Sequence, residues 1–194
     1  MRSLSTPRLL KTLESNPNNP PLCQAPDQVL KKPGLVLDEH ACDCHAHICG
    51  PATLFPYSSK RIYTPPDALL PQYRALLNHL GIVRAVLVQP SIYADDNRAL
   101  LAALKVDPLH LRGITVVDWE ISEQDLEKMH HAGVRGVRCN IVDLAEAKGV
   151  LPIMKLRYLA DKIAPLGWHI EFLMHVNELP DLDQTLRHFP VPIV

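Results

Sequence analysis

Apolar and polar positions along this chain change period repeatedly. Short runs rich in β-branched and apolar residues occur at 34–37, continuing into the His45/His47 segment, and at 83–89, 111–117, 134–140, 168–175 and 191–194. Between them the apolar spacing becomes that of an amphipathic helix. Asp67 precedes a stretch with apolar residues at 69, 70, 73, 76, 77 and 80, and Gly81 follows as a helix-ending residue. A shorter helix is expected over 97–104, stopping before Pro108. Ser122, Glu123, Gln124 and Asp125 read as a capping box, and Gly133 closes that helix. Pro152 fits the first turn of a helix ending at Ala164, with Gly167 just beyond, and a last helix is expected over 178–189.

Strand then helix, repeated, is the pattern of parallel βαβ units. No glycine-rich phosphate-binding motif follows any strand, so nucleotide-binding doubly wound folds lose support. The expected class is α/β, a TIM-like (β/α) barrel. It is expected to be incomplete: five strand–helix units are present and a sixth strand begins at 191–194, whereas a closed barrel has eight units. Residues 34–194 are thus expected to be the front of a larger barrel domain.

Composition changes this picture at the N-terminus. Of 18 prolines, Pro7, Pro17, Pro20, Pro21, Pro26 and Pro33 precede residue 35 and would interrupt any helix or central strand there. Residues 1–33 are therefore expected to be a proline-rich tail, extended or draped on the surface. Arg2, Arg8 and Lys11 ahead of the first acid, Glu14, have the composition of a transit peptide, but Pro7 breaks the amphipathic helix such a peptide needs. Twenty basic against 21 acidic side chains give a net charge of -1, with no basic footprint for nucleic acid or anionic lipid. No apolar run approaches the roughly 20 residues of a membrane-spanning helix. Five cysteines, an odd number without a signal-peptide core, point to a reducing, cytoplasmic compartment. Cys42, Cys44 and Cys49 lack the spacing and the second pair of a structural zinc site.

Barrel chemistry gathers at the C-terminal ends of strands. Those ends carry His45 and His47, then Gln89 and Ser91, Asp118, Arg138 and Asn140, and His175. Strand parity puts Asp43, His45, His47 and Cys49 on one face, and Cys42 and Cys44 on the other as small buried residues against the helices. Two imidazoles two residues apart can reach one metal ion or one carbonyl oxygen. An arginine pointing into a barrel lumen must meet an anion, and the planar fork of Arg138 suits a substrate carboxylate. His79, His130, His131 and His188 fall on helices, where a solvated face is expected. Tyr57, Tyr63 and Tyr93 lie in loops after the first two strands.

At these residues the chain resembles the amidohydrolase-related (amidohydrolase 2) family, in particular its lactonase branch. The resemblance is carried by Asp43-Cys44-His45-Ala46-His47, Gly50-Pro51, Tyr63-Thr64-Pro65, Val88-Gln89-Pro90-Ser91, Arg112-Gly113-Ile114, Gly133-Val134-Arg135-Gly136-Val137-Arg138 and Gly167-Trp168-His169. It implies a TIM-like barrel hydrolysing the cyclic ester of a small carboxylated lactone. His45 and His47 would polarise the lactone carbonyl, and Tyr63, Ser91 and Arg138 would bind ring oxygens and a carboxylate. The branch implies no cofactor. The wider superfamily implies the alternative, a metal-dependent amidohydrolase or decarboxylase with a divalent metal such as zinc on His45 and His47. Leu144 and Leu173 stand where the branch has a second arginine and a tyrosine that serve a dicarboxylate substrate. The family's later histidine and water-activating aspartate would lie beyond Val194, so this chain alone is expected to be inactive. A truncated, non-catalytic product is the remaining alternative.

Overall fold

The computed structural model describes residues 20–27, 29–142, 151–179 and 181–194. The candidate transit peptide and Leu144 lie outside the described residues. Along the chain run β1 (Cys42–Ala46), α1 (Leu70–Leu80), β2 (Arg84–Val88), α2 (Arg98–Val106), β3 (Leu111–Thr115), α3 (Glu123–His131), β4 (Val134–Asn140), α4 (Ile153–Ile163), β5 (His169–Leu173) and α5 (Leu182–Leu186). The strands form one parallel sheet in chain order, β1-β2-β3-β4-β5. Residues 191–194 lie along β5 in parallel: Ile170 N–H donates to the Pro192 carbonyl at 3.0 Å and Val194 N–H to the Ile170 carbonyl at 2.9 Å.

The sheet is strongly curled. In a flat sheet β1 and β5 would lie four strand spacings apart, roughly 19 Å, further than two side chains together can span. Yet His45 of β1 and Glu171 of β5 approach to 3.6 Å. This curvature is that of a (β/α) barrel wall. On its convex side the helices bury Leu77, Leu104, Leu126, Leu156, Leu159 and Ile163 against Ala85, Leu87, Leu111, Val134, Val137 and Ile170 of the strands.

Helix ends follow the punctuation in the sequence. Ser122 Oγ accepts from Asp125 N–H at 3.1 Å at the start of α3, and Gly81 ends α1 in the left-handed region at φ 76°. The last helix is shorter than its pattern, running over Leu182–Leu186 after a 3₁₀ turn at Val176–Glu178 that meets the pattern only at Glu178. The apolar run at 34–37 is not a strand. Leu35 and Val36 are exposed, and Asp38 closes a turn by accepting from His40 N–H through its carboxylate and from Ala41 N–H through its carbonyl. That turn separates the run from β1. The described part of the N-terminal segment lies against the loop before α1, with Thr64 N–H donating to the Pro21 carbonyl and Cys23 N–H to the Thr64 carbonyl.

Candidate active site

Four side chains from three strands meet on the concave face. His45 is the penultimate residue of β1 and His47 lies just past its end, with ring centroids 5.1 Å apart and planes at 75°. Arg138 stands near the end of β4. Glu171 on β5 is its direct neighbour, because the β4–β5 register pairs those two residues. Glu171 Oε1 lies 3.6 Å from His45 Nδ1 and 3.7 Å from Arg138 Nε. Both separations are longer than a hydrogen bond, and the one to Arg138 is an ion pair. Arg138 and Glu171 are both buried.

The histidine pair reaches this face through an irregularity that strand parity does not contain. Asp43 pairs with Ala85, whereas Ala46 pairs with Leu87, so three steps along β1 oppose two along β2. One extra residue reverses the alternation between them. Asp43 consequently lies on the α1 side, accepting from the Tyr73 hydroxyl at 2.8 Å through Oδ2 and from the His45 backbone N–H at 3.2 Å through Oδ1. The expected shared face of Asp43 and His45 is thus corrected. Cys42 and Cys44, expected to be buried against the helices, are exposed.

His47 has an assigned tautomer. Its Nδ1 lies 2.8 Å from the Val88 carbonyl, which can only accept, so Nδ1 carries the proton and Nε2 keeps a lone pair. Burial lowers the pKa of His47; the Val88 bond opposes this, and the neighbouring Arg138 charge adds to it. Neutral His47 therefore presents an acceptor to the site. Its Nε2 can hold a water hydrogen or ligate a metal, and it donates only when protonated.

The guanidinium of Arg138 is partly committed. One terminal nitrogen donates to the Gln89 carbonyl at 3.2 Å. Buried Nε has no hydrogen-bond partner among the described residues, and neither has Gln89 Oε1. Gln89 spends its amide nitrogen on the Ala94 and Asp96 carbonyls, which shapes the loop after β2. Ser91 opens the 3₁₀ turn in that loop. The same turn ends at Tyr93, whose hydroxyl accepts from Gly50 N–H at 2.7 Å and ties the β1 exit to the β2 exit. Gly50 sits at φ 89°, and a Cβ there would fall 2.2 Å from Asp67 Oδ1, so this close approach needs glycine. Tyr63 is half-buried and packs against Cys49, Ile92, Tyr93 and Ala99 beside this loop.

Other sequence candidates take different places. Asp118 is exposed and accepts from Glu120 N–H within its own turn. His175 and Leu173 are exposed at the end of β5. His130, expected on a solvated face, is half-buried: its Nδ1 accepts from the indole N–H of fully buried Trp168 at 2.9 Å. Cys49 and Cys139 are disfavoured as nucleophiles, because burial pushes Cys49 up to about 11 and Cys139 up to about 12.

A metal can be tested against the donors present. His45 and His47 offer two nitrogens, but no group of three or more His, Cys, Asp or Glu among the described residues is placed to hold an ion. A catalytic zinc takes three protein ligands, so the described residues do not complete one. No described helix is long and apolar enough to cross a membrane.

Comparison with known proteins adds a family context. Residues 42–194 match the family model described as Amidohydrolase. A 2-pyrone-4,6-dicarboxylate hydrolase of Comamonas testosteroni is 39% identical over 163 residues, covering 84% of this chain and 53% of that protein. A 4-sulfomuconolactone hydrolase of Rhizobium radiobacter is 37% identical over 118 residues, covering 61% of this chain and 40% of that protein. Among solved structures, a Pseudomonas putida protein described as a 2-pyrone-4,6-dicarboxylic acid hydrolase superposes with a TM-score of 0.67 at 34% identity, covering 81% of this chain and 56% of that one. The chain spans about half the length of the curated relatives it matches.

Proposed function

The chain belongs to the amidohydrolase family, and from that membership we propose that its site serves the hydrolysis of a carboxylated lactone. The observation that carries the reading is the buried guanidinium of Arg138 on the same concave face as the His45/His47 pair. In this reading Arg138 binds the ring carboxylate and so places the lactone carbonyl against the histidines. His45, whose Nδ1 faces the Glu171 carboxylate, turns its Nε2 side to the carbonyl oxygen, where charge develops as water adds. His47, neutral and bonded to Val88, holds a water by accepting one of its hydrogens at Nε2. Addition of that water, with its proton passing to His47 Nε2, gives a tetrahedral intermediate; its collapse breaks the ring C–O bond and the proton passes on to the departing ring oxygen. Ser91 and Tyr63, from the loops after β2 and β1, would contact ring oxygens. No metal or organic cofactor takes part in these steps. Their compass is that of a lactonase-type carboxylic ester hydrolase.

The test compares binding of 2-pyrone-6-carboxylate with binding of unsubstituted 2-pyrone by calorimetry. The carboxylated ring is expected to bind at least about tenfold tighter, in line with a charge-assisted bidentate contact, and Arg138→Gln is expected to abolish the preference. Equal affinity for both rings in the wild-type protein would contradict the reading.

A further inference from the structure

Arg138 does not wait empty for a substrate anion, because the protein supplies one. Among the described residues Glu171 is the carboxylate that the fold buries on the concave face, and Oε1 stands 3.7 Å from Arg138 Nε and 3.6 Å from His45 Nδ1. Placing a charge there is costly unless it is compensated, and Arg138 is the compensating group. The pairing is built into the sheet, since the β4–β5 register sets the two residues side by side. With His47 held neutral, the formal charge of Arg138 and Glu171 together is zero. A monocarboxylate can use the terminal N–H groups of Arg138 that the Gln89 carbonyl leaves over. A second carboxylate would find no further buried cation among the described residues and would meet Glu171 instead.

We propose that Glu171 sets the substrate class of this site, restricting it to lactones that carry at most one carboxylate. Glu171 acts through Arg138 and through electrostatic repulsion, as a specificity-determining residue. The inference rests on the lactonase reading for the word lactone, but the charge selection itself can be measured without one.

The experiment titrates the folded protein with benzoate and with isophthalate, a monoanion and a dianion of one ring size, by calorimetry. Wild type is expected to bind benzoate at least as tightly as isophthalate. Glu171→Gln keeps the side chain's size and an acceptor oxygen, and it is expected to tighten isophthalate by at least about tenfold relative to benzoate, because like charges facing each other in a buried site are strongly unfavourable. Glu127→Gln, an exposed position on α3, makes the same change in net charge and is expected to leave the ratio unaltered. A purely structural Arg138–Glu171 pair would lower the melting temperature of Glu171→Gln without moving that ratio, which would overturn the proposal. Failure of either probe to bind any variant would overturn it too. Should Glu171→Gln not fold, the wild-type ranking decides, and a clear preference for isophthalate would refute the inference. If Glu171→Gln gains isophthalate affinity while no 2-pyrone carboxylate binds, the lactonase reading falls and the role of Glu171 stands.

Discussion

Gly136 shows how little room a residue beside the site has. A Cβ there would lie 2.9 Å from the His169 carbonyl and 3.0 Å from its ring, so the obstacle includes β5 backbone and cannot swing away. Gly136→Ala is expected to cost about 1–3 kcal/mol as an overpacked position, read as a lower urea midpoint with an unchanged slope. It is also expected to disturb Arg138 two residues on. The residues that matter here differ in how readable they are from sequence. His45, His47 and Arg138 announce themselves because polar groups at strand ends have few other reasons to be there. Glu171 does not, since a lone acid in His-Ile-Glu-Phe-Leu reads as an outward-facing strand position. Its meaning depends on the β4–β5 register and on the curl that brings β5 to β1. The partnership of His130 with Trp168 is hidden for a similar reason, because helical periodicity does not say what lies across from a face.

At the scale of elements, local signals placed the first four helices, overran the last one, and were insufficient for the edges of the strands. Ser122 and Asp125 form the N-terminal cap of α3 that their spacing implies. Ser122→Ala is expected to lower stability by about 1 kcal/mol, checked as a shift of the urea midpoint. That cost should be local, since Ser122 is exposed and far in sequence from the site residues. The strands were placed by apolar runs, yet the run at 34–37 stays outside the sheet because the Asp38 turn interrupts it. The extra residue in β1 has no marker in the sequence either. A single unpaired residue changes which side chains share a face, and no composition rule announces it. Periodicity therefore predicted the convergence of His45 and His47 correctly and the placement of Asp43, Cys42 and Cys44 wrongly.

The whole molecule carries a pH signature that follows from its half-buried histidines. Burial lowers the pKa of His47, His130 and His169 below the ordinary histidine value. As pH falls below about 6.5, the unfolded chain takes up protons that the folded state refuses, so stability present above that value is lost progressively on acidification. The melting temperature is expected to fall between about pH 6.5 and 5, and His130→Gln should flatten part of that fall. An unchanged melting temperature across this range would count against neutral, half-buried imidazoles. The parallel sheet in chain order was readable from the alternation of periods, and the curl follows once strands of this twist are closed by helices on one side. The account's central claim is that Arg138 and the two histidines form one ligand site. Chemical-shift mapping by NMR tests it most directly, by adding 2-pyrone-6-carboxylate to protein labelled with ¹⁵N and following the Arg138 Nε–H and the imidazole nitrogens of His45 and His47. The account predicts that these signals move together along one saturable curve, and that Arg138→Gln removes the response of both rings. Signals that stay fixed, or a ligand that perturbs residues elsewhere while leaving these three alone, would contradict it.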